Sequence, residues 1–351
     1  MVIVFAILLF SVVIFLHELG HFVAAKLFGV QVNEFSIFMG PAIVKWQRGE
    51  TLYAIRCIPF GGYCAMEGED EASENPRAFG SAKWWKRLII LVAGSFMNFV
   101  TGLVLLGILY APAQQMIVPE VDFIEEGSLV GGENGLQVGD RFLKIDGENV
   151  YVMSDVSTLL TIHGGEVHDL LVERKGEKVL LDDFVMKKAE FPNEDGTTSL
   201  RYGFSFGIRE ADLGLKLQTV WNSAIDYARM VRLSLGMLFS GEAGVSDMSG
   251  PVGIVQQMTE TVETSQSTLD ALMNMLNYGA LIAINLAIMN MLPIPAVDGG
   301  RVVALLITTA VEKITKKKIN PKYEAYLHGA GMILLLALMV VITFKDIWGL
   351  F

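Results

Sequence analysis

Phe15-Leu-His-Glu-Leu-Gly-His-Phe22 lies inside the first apolar run of the chain, and its reading decides what kind of fold the rest must build. Residues 1–16 carry no charge, and apolar side chains resume at Phe22, Val23, Ala24 and Ala25. On a helix, positions i and i+4 project from one face, so His17 and His21 can reach a single metal ion. Glu18, beside the first histidine, is then placed to take a proton from water at that ion. Ionisable groups are costly within a membrane span and mark a functional site there. These residues predict an intramembrane metalloprotease. A signal peptide fits less well, because the first basic residue is Lys26 and no small-x-small cleavage site precedes the histidines.

The composition agrees with a membrane protein carrying some aqueous mass: 351 residues, 52% hydrophobic, with a mean hydropathy of +0.46. Four stretches approach the roughly 20 apolar residues that a span requires, at 2–25, 84–111, 269–292 and 327–344. The third is studded with Asn274, Asn277, Asn285 and Asn290. A fifth stretch, 220–239, is interrupted at helical spacing by Asp226, Arg229 and Arg232, and reads as an amphipathic helix lying in the membrane interface.

Charge is distributed unevenly. Residues 118–212 hold 20 acidic and 9 basic side chains, so the whole net charge of −11 resides there and the remainder is neutral. Basic residues cluster beside the spans, at Lys83, Lys86 and Arg87 and again at Lys313, Lys316, Lys317, Lys318 and Lys322. The positive-inside rule places both clusters in the cytoplasm, with the acidic segment and both termini outside. An acidic outer segment argues against nucleic acid as a partner. Cys57 and Cys64 then fall in an inner loop, without neighbouring histidines, and read as reduced structural thiols.

Residues 118–210 read as an independent β-rich unit. Strand-like runs at 141–145 and 169–173 alternate with turns at Asp146-Gly147, Gly164-Gly165 and Lys175-Gly176. The stretch from Gly135 to Val150, with a Gly139-Asp140 turn, a strand and an Asp146-Gly147 turn in order, resembles the PDZ domains of bacterial membrane proteases. Such domains bind peptides by strand addition. The simpler alternative is a β-rich spacer. His163 and His168, with no third ligand nearby in sequence, read as exposed loop histidines.

A hydrolytic zinc site uses three protein ligands and leaves one position for water. The missing ligand is sought in Asn290-Met-Leu-Pro-Ile-Pro-Ala-Val-Asp-Gly-Gly300, where Pro293 and Pro295 break an apolar span. Unwound backbone at membrane depth is tolerated only where protein buries it or it lines a cavity. Asp298 follows the break, is the only acid between Asp270 and Glu312, and completes a His2Asp set.

The motif at 17–21, the Asn-x2-Pro-x-Pro-x2-Asp-Gly motif at 290–299 and one PDZ-like unit together resemble the site-2 protease family, in its bacterial PDZ-containing branch. The resemblance implies zinc held by His17, His21 and Asp298, with Glu18 activating water. It further implies that Asn290 holds the substrate peptide. Residues 30–67, from their composition a Gly-rich strand-like loop containing Phe60-Gly-Gly-Tyr63, would form a β-hairpin that dips back toward the active site, bringing Gly61 and Gly62 to the substrate. Gly94, Asn98 and Gly102 share one face of the second span and read chiefly as a close-packing surface, with a catalytic role for Asn98 as the minority alternative. Ser249-Gly-Pro-Val-Gly-Ile254 is also similar to the family, without a physical reason visible in the sequence. Some relatives carry two tandem PDZ domains, and this chain has room for one.

The expected fold is an α-helical integral membrane protein of about four transmembrane helices, with an inserted PDZ-like domain and a membrane re-entrant β-hairpin. Its expected divisions are 1–117 (two spans and the hairpin), 118–210 (extracytoplasmic PDZ-like domain), 211–268 (interfacial helix and linker) and 269–351 (two spans). The expected activity is zinc-dependent hydrolysis of a peptide bond in the transmembrane segment of a single-span protein, already clipped by another protease. Anti-sigma factors and remnant signal peptides are the substrates the resemblance implies, in the cytoplasmic membrane of a bacterium. The alternative from another class is a catalytically idle adaptor that binds peptides through its PDZ-like domain.

Overall fold

A computed structural model describes residues 2–69, 71, 73–193, 197–244, 247–316 and 322–349. Lys317 and Lys318 of the second basic cluster lie outside these. Each of the four apolar stretches forms one helix long and apolar enough to cross a membrane: α1 (Val2–Leu27), α2 (Trp84–Tyr110), α6 (Thr268–Met289) and α8 (Lys322–Trp348). Local chemistry sets the ends. The α2 helix stops ahead of Pro112, whose ring disfavours helical backbone in the residue before it. Ser267 caps α6 by accepting from the Asp270 N–H at 3.1 Å. Helix α8 outruns its apolar segment at both ends, because Lys322, Glu324, Lys345 and Asp346 continue the helix on either side.

The chain divides into two compact units, Met1–Leu109 with Tyr227–Phe351, and Tyr110–Asp226. In the first, β1 (Val32–Arg48) and β2 (Thr51–Met66) are each bent, so two strands make a sheet of four segments. Residues 32–37 pair antiparallel with 62–66 and, on their other side, run parallel to 52–55; residues 42–48 pair antiparallel with 51–56. The bends carry positive φ at Phe38, Gly40 and Gly61. Segment 62–66 is therefore an edge. The roots of the sheet pack with α1, α2 and α7 (Asp298–Thr315) in a core that includes Ala25, Val30, Val32, Met66, Ile90 and Leu305. At the turn between the strands, Glu50 accepts from Arg77 at 2.5 Å and from Lys26 at 2.6 Å. These two cations hold its carboxyl down at about 2 and tie the sheet to the end of α1.

The Ser249–Ile254 motif acquires a physical reason here. Helix α5 (Pro251–Glu263) begins at Gly250, and the buried Asp346 of α8 accepts from the N–H groups of Gly250 and Gly253, both at 2.9 Å. A carboxylate from a distant helix thus caps the donors of the first turn. A Cβ on Gly250 would lie 2.8 Å from that carboxylate oxygen and would push it off its two donors.

In the second unit the strands β3 (Gln115–Ile124), β4 (Arg141–Ile145), β6 (Val167–Arg174), β7 (Glu177–Val185) and β10 (Phe204–Glu210) form one sheet in the order β10-β3-β4-β6-β7. The short β5 (Glu148–Asn149) pairs with β4, and β8 (Ala189–Pro192) with β9 (Thr198–Arg201) forms a separate hairpin. Helix α3 (Ser154–His163) buries Val156, Leu159 and Leu160. The Gly139-Asp140 turn is held by charge: Asp140 is fully buried and accepts two 2.7 Å hydrogen bonds from the Arg174 guanidinium. His163 is exposed, as expected, although it closes α3 rather than lying in a loop. The expectation for His168 fails. The alternation of β6 turns it inward beside Leu170 and Val172, and it meets Asp146 at 2.7 Å.

The stretch interrupted by charges forms α4 (Leu213–Ser240), capped by Asp212 through the Leu215 N–H at 2.7 Å; the boundary between the two units falls within this helix. Asp226 and Arg229 are buried, so this part of its polar face is turned to protein rather than to water.

Candidate metal centre

Helical spacing carries His17 and His21 to one face of α1, and both are buried. Asp298 is the first residue of α7, where the unpaired N–H groups of the helix start favour a carboxylate. His17 Nε2 lies 3.1 Å and His21 Nε2 3.3 Å from Asp298 Oδ2, and the two imidazole nitrogens are 3.2 Å apart. Among the described residues this is the one group of three or more His, Cys, Asp or Glu ligand atoms close enough to share an ion. Zinc–nitrogen and zinc–oxygen bonds of about 2.0–2.1 Å in a tetrahedron put neighbouring ligand atoms about 3.3–3.4 Å apart. The observed triangle matches within a few tenths of an ångström.

The ring orientations also suit a metal ion. His21 Nδ1 lies 2.8 Å from the Ile90 carbonyl oxygen, an acceptor only, so the ring proton sits on Nδ1 and Nε2 presents a lone pair. Asp298 Oδ2 is buried and faces both Nε2 atoms. The donor set of two imidazoles and one carboxylate suits zinc and leaves a position open.

Glycines make room for this cluster. A Cβ on Gly94 of α2 would overlap His21 Nε2 and come within 2.7 Å of His17 Cε1. The stripe read from the sequence as helix packing therefore does part of that work at Gly102, which meets Ile284 and Ala280 of α6, and clears space for the imidazoles at Gly94. Gly20 of α1 likewise faces the Ala93 backbone. Around Asp298, a Cβ on Gly299 would strike the Met291 and Leu292 backbone, and one on Gly300 the Ile294 carbonyl. The Gly299 N–H donates to the Asn290 carbonyl at 2.7 Å, closing the 290–299 loop on itself. Ala296 in that loop holds a φ of +93°, and its N–H donates to His328 Nδ1 of α8 at 3.2 Å. One turn beyond Asp298, Arg301 pairs with Glu69 at the end of the β1–β2 sheet.

Glu18 is half-buried and faces edge segment 62–66. A Cβ on Gly62 of that segment would sit 3.3 Å from Glu18 Cγ. Gly62 thus lies at the site. Gly61 turns away at φ +79° against Met39, and Asn290 reaches the loop as the C-terminal cap of α6. Cys57 and Cys64 are free thiols. The sequence reading missed the roles of Ile90, Gly94 and His328; only Gly94, one turn from a polar Asn98 in an apolar span, left a trace in the sequence.

The profile of peptidase family M50 matches residues 5–338. The chain belongs to peptidase family M50, the site-2 proteases. It is 34% identical over 98% of its length to a protein of Clostridium acetobutylicum provisionally named a zinc metalloprotease, covering 97% of that protein. It is 28% identical to the zinc metalloprotease RasP of Shouchella clausii and 26% identical to the regulator of sigma-W protease RasP of Bacillus subtilis, each over 98% of both chains. As a member of this family the protein is a zinc metallopeptidase, with zinc as the expected cofactor.

Gly94→Ala tests the clearance. The added methyl should cut zinc content from about one equivalent per chain to under a tenth, measured by metal analysis after dialysis of the purified protein. Full zinc occupancy in Gly94→Ala would contradict the assigned geometry.

Proposed function

We propose that this chain hydrolyses a peptide bond within or near the transmembrane segment of single-span membrane proteins after a first cleavage has shortened them. The observation that carries the reading is the position of Glu18, between the buried His17–His21–Asp298 cluster on one side and the edge segment 62–66 on the other. His17, His21 and Asp298 would hold zinc, which when bound supplies a Lewis acid that polarises the scissile carbonyl and acidifies water. Glu18 would take a proton from the attacking water and give it to the leaving amine.

A helical substrate shields its own carbonyls, so it must be extended before attack. Segment 62–66 offers an unpaired strand edge for that extended chain. The Asn290 side chain adds a hydrogen-bond partner for backbone groups that lack water in the bilayer. Exposed Met39, Ile43, Val44 and Ile58 toward the bent end of the sheet support its dipping into lipid. The basic clusters support an extracytoplasmic β unit in a bacterial cytoplasmic membrane. The name of the Bacillus subtilis relative supports an anti-sigma factor as substrate, with remnant signal peptides as a second class of the same chemistry.

The β unit is read as a PDZ-like domain that restricts access by intact substrates, from its Gly139-Asp140 turn, β4 and Asp146-Gly147 turn in that order. Gly139 has a φ of +92° and donates its N–H to the Val121 carbonyl at 2.7 Å, neither of which proline can reproduce. In cells, Gly139→Pro should allow cleavage of unclipped substrate and leave cleavage of clipped substrate nearly unchanged. Loss of both activities would mean that the unit recruits or supports instead.

The decisive experiment on chemistry is Glu18→Gln. The variant should keep its zinc and bind substrate, yet lose about 10² or more in rate, the scale of a general base. Clipped membrane fragments should then accumulate in cells that carry it. Near-normal cleavage would remove Glu18 from the mechanism, and an idle adaptor would show no difference from the parent.

A further inference from the structure

We propose that Asn98 is a positioning residue that fixes the His17 ring for zinc through its side-chain oxygen. The inference rests on the zinc reading of the site and extends it to a residue outside the ligand set. Asn98 lies in α2, one turn beyond Gly94, and is 1% exposed. Its Nδ2 lies 3.3 Å from His17 Nδ1, and its Oδ1 is buried with no hydrogen-bond partner.

As drawn, that contact needs His17 Nδ1 to accept, which places the ring proton on Nε2. Nε2, however, is the atom 3.1 Å from Asp298 Oδ2 and 3.2 Å from His21 Nε2, where a lone pair is needed to bind metal. A ligating His17 must therefore carry its proton on Nδ1 and find an acceptor there. The amide oxygen and nitrogen occupy nearly equivalent positions, and a half-turn of the Asn98 amide brings Oδ1 to Nδ1. The orphaned acceptor and the unmatched donor then satisfy each other.

The same arrangement serves His21, whose Nδ1 donates to the Ile90 carbonyl two turns earlier on the same helix. One helix thus supplies an acceptor for each imidazole: a backbone carbonyl at Ile90 and a side-chain amide at Asn98. Gly94 between them gives the rings room. An amide performs this task without bringing another charge into the membrane. Packing alone does not account for a polar side chain at this position, since leucine would fill it.

The test is zinc affinity of the full-length protein in nanodiscs, stripped of metal and titrated against a chromophoric chelator. Asn98→Leu, similar in size but without an acceptor, should bind zinc about 10–100-fold more weakly, the usual range for loss of such a partner. Asn98→Asp, which keeps the acceptor, should stay within about threefold of the parent. Parental affinity in Asn98→Leu, or an equal loss in Asn98→Asp, overturns the assignment. If the leucine variant does not fold, the aspartate variant decides alone: parental affinity supports the role, and a tenfold loss refutes it. A parent that binds no zinc refutes the underlying zinc reading instead, so the two failures are distinguishable.

Discussion

His17 Nε2, His21 Nε2 and Asp298 Oδ2 face one another at 3.1–3.3 Å in a buried site, the spacing of three ligands around one metal ion. A cation held there binds together chain segments 277 or more positions apart in sequence. The surrounding architecture serves this constraint. Helix α1 supplies two ligands at one face, α2 approaches through glycine, and the Pro-rich break after α6 ends where α7 can present its first residue. The strained Ala296, held by His328, lies two residues before Asp298 and sets the approach of that loop.

The second requirement is an extended peptide beside Glu18. The bent β1–β2 sheet meets it by ending in an edge segment rather than a closed one, with Gly62 small enough to lie against the glutamate. Ties at its base, Lys26 and Arg77 with Glu50 and Arg301 with Glu69, fix that edge relative to α1 and α7. Acid–base chemistry and strand presentation therefore share one rigid frame, so that orientation contributes to rate.

Features with a local period were legible in the sequence. The i, i+4 histidines, the four apolar lengths, the break at Pro293 and Pro295 and the lone acid Asp298 all came from spacing and composition, as did the strand at Arg141–Ile145. Features made by distant contacts were not. Gly250 and Gly253 are explained only by Asp346, more than 90 residues away. His168 looked like a loop histidine because nothing local reveals that the β6 alternation points it at Asp146. Gly94 and Asn98 read as packing residues because their partners are side chains of another helix. The four-segment sheet was hidden for a related reason: bends at Phe38 and Gly61 let one strand pair on both sides, which no strand propensity encodes.

Zinc K-edge X-ray absorption of the purified protein tests the central claim most directly. The geometry requires a first shell of nitrogen and oxygen only, at about 2.0–2.2 Å, with the outer-shell scattering of two imidazoles. A sulfur shell near 2.3 Å, which would bring Cys57 or Cys64 into the site, or the scattering of one imidazole alone, would contradict it.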